Sequence, residues 1–333
     1  MAPTLDIHLY VHGRGRGHAS RALHLVAGLE ARGHRVHAFA GFDAVAVLRD
    51  HVPTTAIQSL PPSASARAIA RCCSRVRESV GRIVQDRPDV VVSDGDLPSL
   101  CAARLTGVPS VAVGHGLVFL VCARPSGLPR LPWWREAMKA GVASFGADRR
   151  VAVNFLPLPL RDPGAVLAAP RSVDAPAAPR REGGVVAYFR DGLDARLLGA
   201  IREVAPTAQV FAPRGPKEVR RPDRDAFAQA FGQARAVIAT AGSQLIGECV
   251  GSRTPLFAVY RRGDDEQRLN AEMLARTRLG RAARIDTVDA TMLRAFLESV
   301  ERPRGPLPRI AAPMLDASVA VIDACEQLAR RRR

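Results

Sequence analysis

The chain has 333 residues, 47% of them apolar, and a mean hydropathy of −0.01, which together suggest about two globular domains and exclude wholesale disorder. No run of about 18 apolar residues is present to make a membrane-spanning helix, and Asp6 and His8 interrupt the first apolar stretch, which argues against a secretory leader and for a cytoplasmic protein. The net charge is +16, from 48 basic against 32 acidic residues. Two origins stay open: a surface that meets phosphates, nucleic acid or anionic lipid, or a compositional bias towards Arg, which would spread the charge along the chain as observed. Only 5% of residues are aromatic and no basic stripe is interleaved with aromatics, which argues against nucleic acid as a partner. Cys72, Cys73, Cys101, Cys122, Cys249 and Cys325 show no paired metal-site spacing and read as free thiols.

In chain order, short apolar runs alternate with longer amphipathic segments. Strands are expected at 5–11, 34–40, 55–60, 89–93 and 109–114, with helices over 18–32, 44–50, 64–86 and 97–106. The strand cores do not alternate with polar residues, as expected when helices cover both faces of a parallel sheet. Residues 157–182 contain Pro157, Pro159, Pro163, Pro170, Pro176 and Pro179. That density is incompatible with a helix or a central strand and reads as a linker. The rhythm restarts at 184–190 and continues at 209–212, 235–240, 255–260 and 281–285. A second Pro-rich segment, 303–313, precedes a last helix over about 313–330. The expected organisation is an α/β protein of two Rossmann-like, doubly wound domains, at 1–156 and 183–312, with the linker at 157–182 and a closing helix at 313–333.

Gly13-Arg14-Gly15-Arg16-Gly17-His18 lies between the first strand and the first helix. Glycines there permit tight turns, and the helix that follows offers free N–H groups to an anion. A dinucleotide fingerprint needs Gly-x-Gly-x-x-Gly, and His18 holds its sixth position; an active-site loop is the favoured reading, beside a plain glycine-rich turn. In the first turn of a helix the dipole favours neutral imidazole, the form a general base needs, though His18 could equally brace the loop. Arg21, one turn later, suits an anionic acceptor or plain solvation. Asp94 and Asp96 sit at the carboxyl end of the 89–93 strand, where open α/β sheets bind ligands. Asp94 could orient a base or hold a sugar hydroxyl, and Asp96 is also a good helix N-cap. His115, in Gly114-His115-Gly116, follows the next strand at the same edge.

In the second half, Thr240-Ala241-Gly242-Ser243-Gln244 ends a buried strand and opens a helix over 244–250. Small residues at a helix start make an anion seat, and Glu248 lies on that helix. After the 255–259 strand come Asp264-Asp265-Glu266-Gln267-Arg268-Leu269-Asn270-Ala271. A carboxylate beside an amide suits vicinal sugar hydroxyls, while Asp264 or Asp265 also suits an N-cap of a helix over 266–276.

This ordered set resembles the glycosyltransferases of the GT-B fold, in particular the group of the lipid II N-acetylglucosaminyltransferase and the monogalactosyldiacylglycerol synthases. The residues that carry the resemblance are Gly15–Arg21, Ser93–Asp96, Ala239–Glu248, Pro255–Phe257 and Glu266–Ala271. One departure is Ala241-Gly242 where family members often have two glycines.

The resemblance implies two domains facing across a cleft, an acceptor on the first, a nucleotide-sugar on the second, and a last helix that crosses back. It implies an inverting, metal-independent transfer of a sugar from a nucleoside diphosphate sugar, UDP or dTDP, to a hydroxyl of a lipid, glycan or natural product, with no cofactor or metal. His18 and Asp94 are the expected catalytic pair. Arg190, Gly242, Ser243, Gln244, Glu248, Glu266 and Gln267 are the expected donor-binding residues, with Glu248 on the ribose. Gly17, Arg21, Asp96 and His115 are the expected acceptor-binding residues. An anionic membrane is a further expected partner, and nucleic acid is not. An epimerase of the same double fold and a non-catalytic basic docking protein are the alternatives.

Overall fold

The computed structural model describes residues 3–13, 16–60, 65–170, 183–301 and 314–332. The chain divides into two compact units, one of Met1–Pro125, Trp133–Arg171 and Pro313–Arg333, the other of Ser126–Pro132 and Ser172–Ala312. Gly15 of the glycine-rich loop, Ala64 at the expected start of the third helix, the 171–182 part of the expected linker and the Pro-rich 303–313 lie outside the described residues.

The first unit runs β1 (Asp6–Val11), α1 (Arg16–Ala31), β2 (Arg35–Ala40), α2 (Phe42–Leu48), β3 (Thr54–Ala56), α3 (Ala66–Asp86), β4 (Val90–Asp94), α4 (Leu97–Thr106), β5 (Ser110–Gly114), α5 (Leu117–Val121), α6 (Arg130–Ala143), β6 (Arg149–Val153) and β7 (Ala165–Ala168). Its seven strands pair in parallel in the order β3-β2-β1-β4-β5-β6-β7. Every residue of β4 and β5 is buried, which explains why their sequences are apolar without alternation. Local signals set the ends of the helices. Ser65 caps α3 through Ala68 N–H, Asp96 caps α4 through Ser99 N–H, and Gly107 closes α4 in the left-handed conformation.

The second unit runs β8 (Val185–Tyr188), α7 (Ala195–Val204), β9 (Gln209–Phe211), α8 (Arg224–Gly232), β10 (Ala236–Thr240), α9 (Ser243–Gly251), β11 (Leu256–Tyr260), α10 (Asp265–Leu274), β12 (Gly280–Arg284) and α11 (Ala290–Glu301). Its five strands are parallel in the order β12-β11-β10-β8-β9. Asp194, Asp223 and Asp264 cap α7, α8 and α10. The α/β fold expected from the sequence is therefore the fold found, with two doubly wound parallel sheets.

The first unit differs from expectation in α5, α6 and β6, which were not expected, and in two edge strands. The segment expected to be linker holds β7, which pairs with β6 at the edge of the sheet. Pro163 and Pro170 flank this strand without entering it, so they remove none of its ladder donors, and an edge tolerates them. The expected third strand, at 55–60, shrinks to the short edge strand β3.

The last helix, α12 (Ala317–Arg332), belongs to the first unit. Val321 and Cys325 of α12 join the core that contains Leu25 and Leu29 of α1. A Cβ on Gly28 would stand 2.9 Å from Ser318 Cβ, so the missing side chain permits the approach of α1 and α12. Asp316 starts α12. Its Oδ1 accepts from Ser318 N–H at 2.7 Å and meets His24 Nε2 at 2.7 Å. Burial alone would raise the Asp316 carboxyl, but His24 and Ser318 more than offset it and hold it well below the usual carboxylate range. Asp316→Ala is expected to lower stability by about 1–2 kcal/mol by removing this cap and its partner, measured by urea unfolding at neutral pH. Because the native carboxyl is held low, that contribution is complete above the unfolded-state value of about 3.9 and fades as the pH falls below it.

Candidate active site

In the first sheet β1 is flanked by β2 and β4. The connections from β1 and β4 leave in opposite directions, which opens a crevice beyond their carboxyl ends. His18 comes from the start of α1, just after β1, and Asp94 is the last residue of β4. A backbone bond from His12 N–H to Asp94 O, 3.1 Å, joins the two strand ends. Gly13 has φ +76°, and a Cβ there would run into the carbonyl oxygen of Gly41. The turn out of β1 therefore requires glycine.

The two side chains meet. His18 Nδ1 lies 2.9 Å from Asp94 Oδ1, with the Asp94 side chain 1% exposed and that of His18 31% exposed. Arg21 donates to the same carboxylate twice, from Nε to Oδ2 at 3.0 Å and from Nη2 to Oδ1 at 2.8 Å. Burial would push the Asp94 carboxyl up, but the Arg21 guanidinium and the His18 imidazole reverse this and hold it well below the usual range. Asp94 is therefore an acceptor only. The proton between it and His18 belongs to Nδ1, which donates, and the 3.2 Å approach of Arg21 Nη2 to that nitrogen is a contact rather than a bond. In the neutral imidazole this tautomer leaves Nε2 with its lone pair free.

The other residues expected at this edge are spent differently. Arg21 is 7% exposed. Its forked pairing with Asp94 makes it a positioning group for the carboxylate rather than an acceptor contact. Asp96 is 3% exposed and its Oδ2 accepts from Ser99 N–H at 3.1 Å, with the buried Arg75 guanidinium 3.5 Å away. The cap is the reading the structure keeps, in place of an acceptor contact. His115 is also buried; its Nδ1 donates to Val153 O at 2.9 Å and its ring packs against Phe119 and Phe155, so it supports β5 and β6 from within. Gly17 lies in the first turn of α1, half-buried.

In the second sheet the strand order reverses between β8 and β10. Arg190, just after β8, and Gly242, just after β10, come from the two sides of that point, and Arg190 N–H donates to Thr240 Oγ1 at 3.3 Å. Gly242 is the N-cap of α9 and has no side chain to cap it. The first N–H groups of α9 thus have no cap from the Gly242 position, an arrangement that suits an anion seat. Asn270 Nδ2 donates to Ala241 O at 3.1 Å, so a buried side chain of α10 holds the loop that shapes this seat.

Around it, Gln244 Nε2 donates to Glu248 Oε1 at 3.2 Å. The Arg190 guanidinium pairs with Asp191 at 3.2 Å and reaches Asp264 Oδ2 at 3.4 Å. Asp264 Oδ1 caps α10 through Gln267 N–H at 3.0 Å. Glu266 is exposed on the first turn of α10. Gln267 is 2% exposed, and neither its Oε1 nor its Nε2 has a hydrogen-bonding partner within the described residues. Burying an amide unsatisfied costs about 1–3 kcal/mol, a cost that a binding site repays through its ligand.

The sequence missed the partner role of Arg21 and the clamp made by Asn270. Arg21 sits one turn beyond His18, a spacing that already placed it beside that histidine. For Asn270 the sequence holds no signal, since its partner lies 29 residues away.

Two family models match the chain. "Glycosyltransferase Family 4" matches residues 15–154, and "Glycosyl transferase family 1" matches residues 209–301. Among solved structures, MurG of Acinetobacter baumannii is similar over 98% of this chain and 100% of its own, at 17% identity and a TM-score of 0.66. LpCGTa in complex with UDP is similar over 99% and 94%, at 14% identity and 0.63. The glycosyltransferase VinC in complex with dTDP is similar over 98% and 100%, at 16% identity and 0.59. No curated protein matches the chain. At these identities the likeness to the solved structures is one of fold, and the domain matches add the enzyme class. The chain carries glycosyltransferase domains in both halves of a GT-B fold, and its enzyme class is that of the glycosyltransferases.

Proposed function

We propose that the protein is an inverting, metal-independent glycosyltransferase that moves a sugar from a UDP- or dTDP-sugar to an acceptor hydroxyl. The observation that carries the reading is the His18–Asp94 pair, whose hydrogen bond of 2.9 Å fixes Nδ1 as the donor and leaves the lone pair on Nε2. In this reading Nε2 takes the proton of the acceptor hydroxyl. The oxygen attacks the anomeric carbon of the donor in a single displacement, and the nucleoside diphosphate leaves from the opposite face, which inverts the configuration. The second unit holds the donor, with the diphosphate on the first N–H groups of α9 and on Arg190, Glu248 on the ribose, and Glu266 and Gln267 on the sugar hydroxyls. Metal independence is supported by Asp264, whose two oxygens already serve Gln267 N–H and Arg190.

The reading is tested by incubating the protein with α-linked UDP- and dTDP-sugars in the presence of EDTA and an acceptor panel. Undiminished nucleotide release with a β-linked product supports it, whereas retained anomeric configuration or abolition by EDTA overturns it. A second expectation concerns Gln267. Gln267→Leu removes an unsatisfied buried amide at nearly constant volume, so the protein gains about 1 kcal/mol of stability while donor affinity, by calorimetry, falls about tenfold or more. A destabilised variant with unchanged donor affinity removes Gln267 from the site.

A further inference from the structure

We propose that Phe42 is the platform on which the acceptor seats a flat ring, so that the acceptor class is a hydroxylated aromatic compound rather than a free sugar. The proposal rests on the reading of His18 as the base and names the acceptor that this base serves. β1 and β2 pair in parallel up to Val11 and Ala40, so His12 and Gly41 are the next residues beyond the carboxyl edge, and Phe42 stands one residue further. The ring centroids of His18 and His12 are 6.3 Å apart at 73°, and those of His12 and Phe42 are 5.6 Å apart at 72°. A Cβ on Gly95 would stand 3.6 Å from both His12 Cβ and His18 Cε1, so the turn after β4 adjoins both histidines. A row of three rings thus leads from the proposed base to a phenyl ring that is 52% exposed.

The backbone singles out the same residue. Phe42 has φ +44°, in the left-handed region that a bulky side chain seldom enters. The other described non-glycine residues with positive φ are Arg87, Arg253 and Arg278. Arg87 and Arg278 are C-caps and Arg253 follows the C-cap Ser252, places where that geometry is common. Phe42 instead starts α2, directly after its N-cap Gly41. With about half its surface in solvent, its ring does not repay the conformation by core packing, and strain of this kind collects at ligand-binding positions.

Polarity selects the acceptor. A free sugar needs paired donors and acceptors for its vicinal hydroxyls. Arg21, Asp94, Asp96 and His115, the polar residues expected to bind at this edge, are all buried and bonded within the protein. Phe42 offers ring surface instead, which takes a flat π-system by offset stacking or edge-to-face contact.

The experiment measures umbelliferone, a flat hydroxylated aromatic, against glucose. Binding is read by calorimetry without donor, and transfer by nucleotide release from UDP- and dTDP-sugars. Umbelliferone is expected to bind and to accept, and glucose to do neither. Phe42→Gly weakens umbelliferone binding about tenfold or more and raises its KM by the same factor, with kcat within about threefold. The melting temperature changes little, because glycine relieves the backbone while losing the contact with His12. Phe42→Tyr keeps the ring and restores binding. Absence of umbelliferone binding overturns the proposal, as does binding that Phe42→Gly leaves intact. A Phe42→Gly variant that loses melting temperature and donor affinity together makes Phe42 a structural residue and also overturns it. Binding of umbelliferone that depends on Phe42 but yields no nucleotide release supports the platform and counts against His18 as base. Inverting transfer to glucose alone supports His18 and overturns the platform.

Discussion

His18→Ala is expected to cut turnover by about a hundredfold to ten-thousandfold, the usual contribution of a positioned general base. The size of the effect follows from how the imidazole is held. A carboxylate that is nearly fully buried fixes its Nδ1, so the ring does not have to be oriented anew in each catalytic cycle. Donor affinity should change little, because the residues proposed to hold the donor all belong to the second unit. Stability should also change little, because the ring is part-exposed and Arg21 still pairs with the Asp94 carboxylate. Single-turnover kinetics, donor titration and a melting curve on this one variant decide the matter. Near-normal turnover with a lowered melting temperature would make His18 a loop brace and end its role as base.

Asp94→Asn is expected to damage rate and stability together, and the second variant Arg21→Met separates the two. Asparagine keeps the shape of Asp94 but removes the charge that compensates the Arg21 guanidinium, itself 7% exposed. An uncompensated buried charge costs about 3–5 kcal/mol, readable as a loss of stability in urea. Arg21→Met added to Asp94→Asn removes the stranded charge and should recover most of that stability. Turnover should stay low in the double variant, because the amide neither enforces the Nδ1–H tautomer nor stabilises the imidazolium that forms as the proton arrives. Recovery of both rate and stability would reduce Asp94 to a structural partner of Arg21.

The same cluster carries a pH signature. The native Asp94 carboxyl is held below its ordinary value. Its contribution to stability is complete above the unfolded-state value of about 3.9 and is lost only as the pH falls through that value towards the native one. The carboxylate therefore adds no ionisation of its own to the rate profile above about pH 4.

The sequence by itself determined most of the strands and several of the helices. Continuous β-branched runs such as Val90-Val91-Val92 read as strands with both faces covered. Asp96 and Asp264 announced helix starts because a cap acts on N–H groups two or three residues away. His18 and Asp94 were legible as candidates for the same reason: each stands where a strand ends, and parallel sheets bind ligands at that edge.

Strand order, and with it the identity of the residues that meet, was decided only by the tertiary structure. His18 and Asp94 are 76 residues apart, and their contact exists because β4, although β2 and β3 come before it in the chain, lies directly beside β1. Burial then sorted residues that look alike in sequence. Asp94 and Asp96 are two positions apart on one turn, yet one faces an imidazole and a guanidinium and the other is consumed by Ser99 N–H. β7 was hidden between prolines because an edge strand of four residues needs no long apolar run and draws its stability from β6. The orphaned amide of Gln267 is the same lesson from the other side. A glutamine on the first turn of a helix is ordinary in sequence, and only the packing of α10 turns it inward, where both its amide atoms are buried without a partner among the described residues.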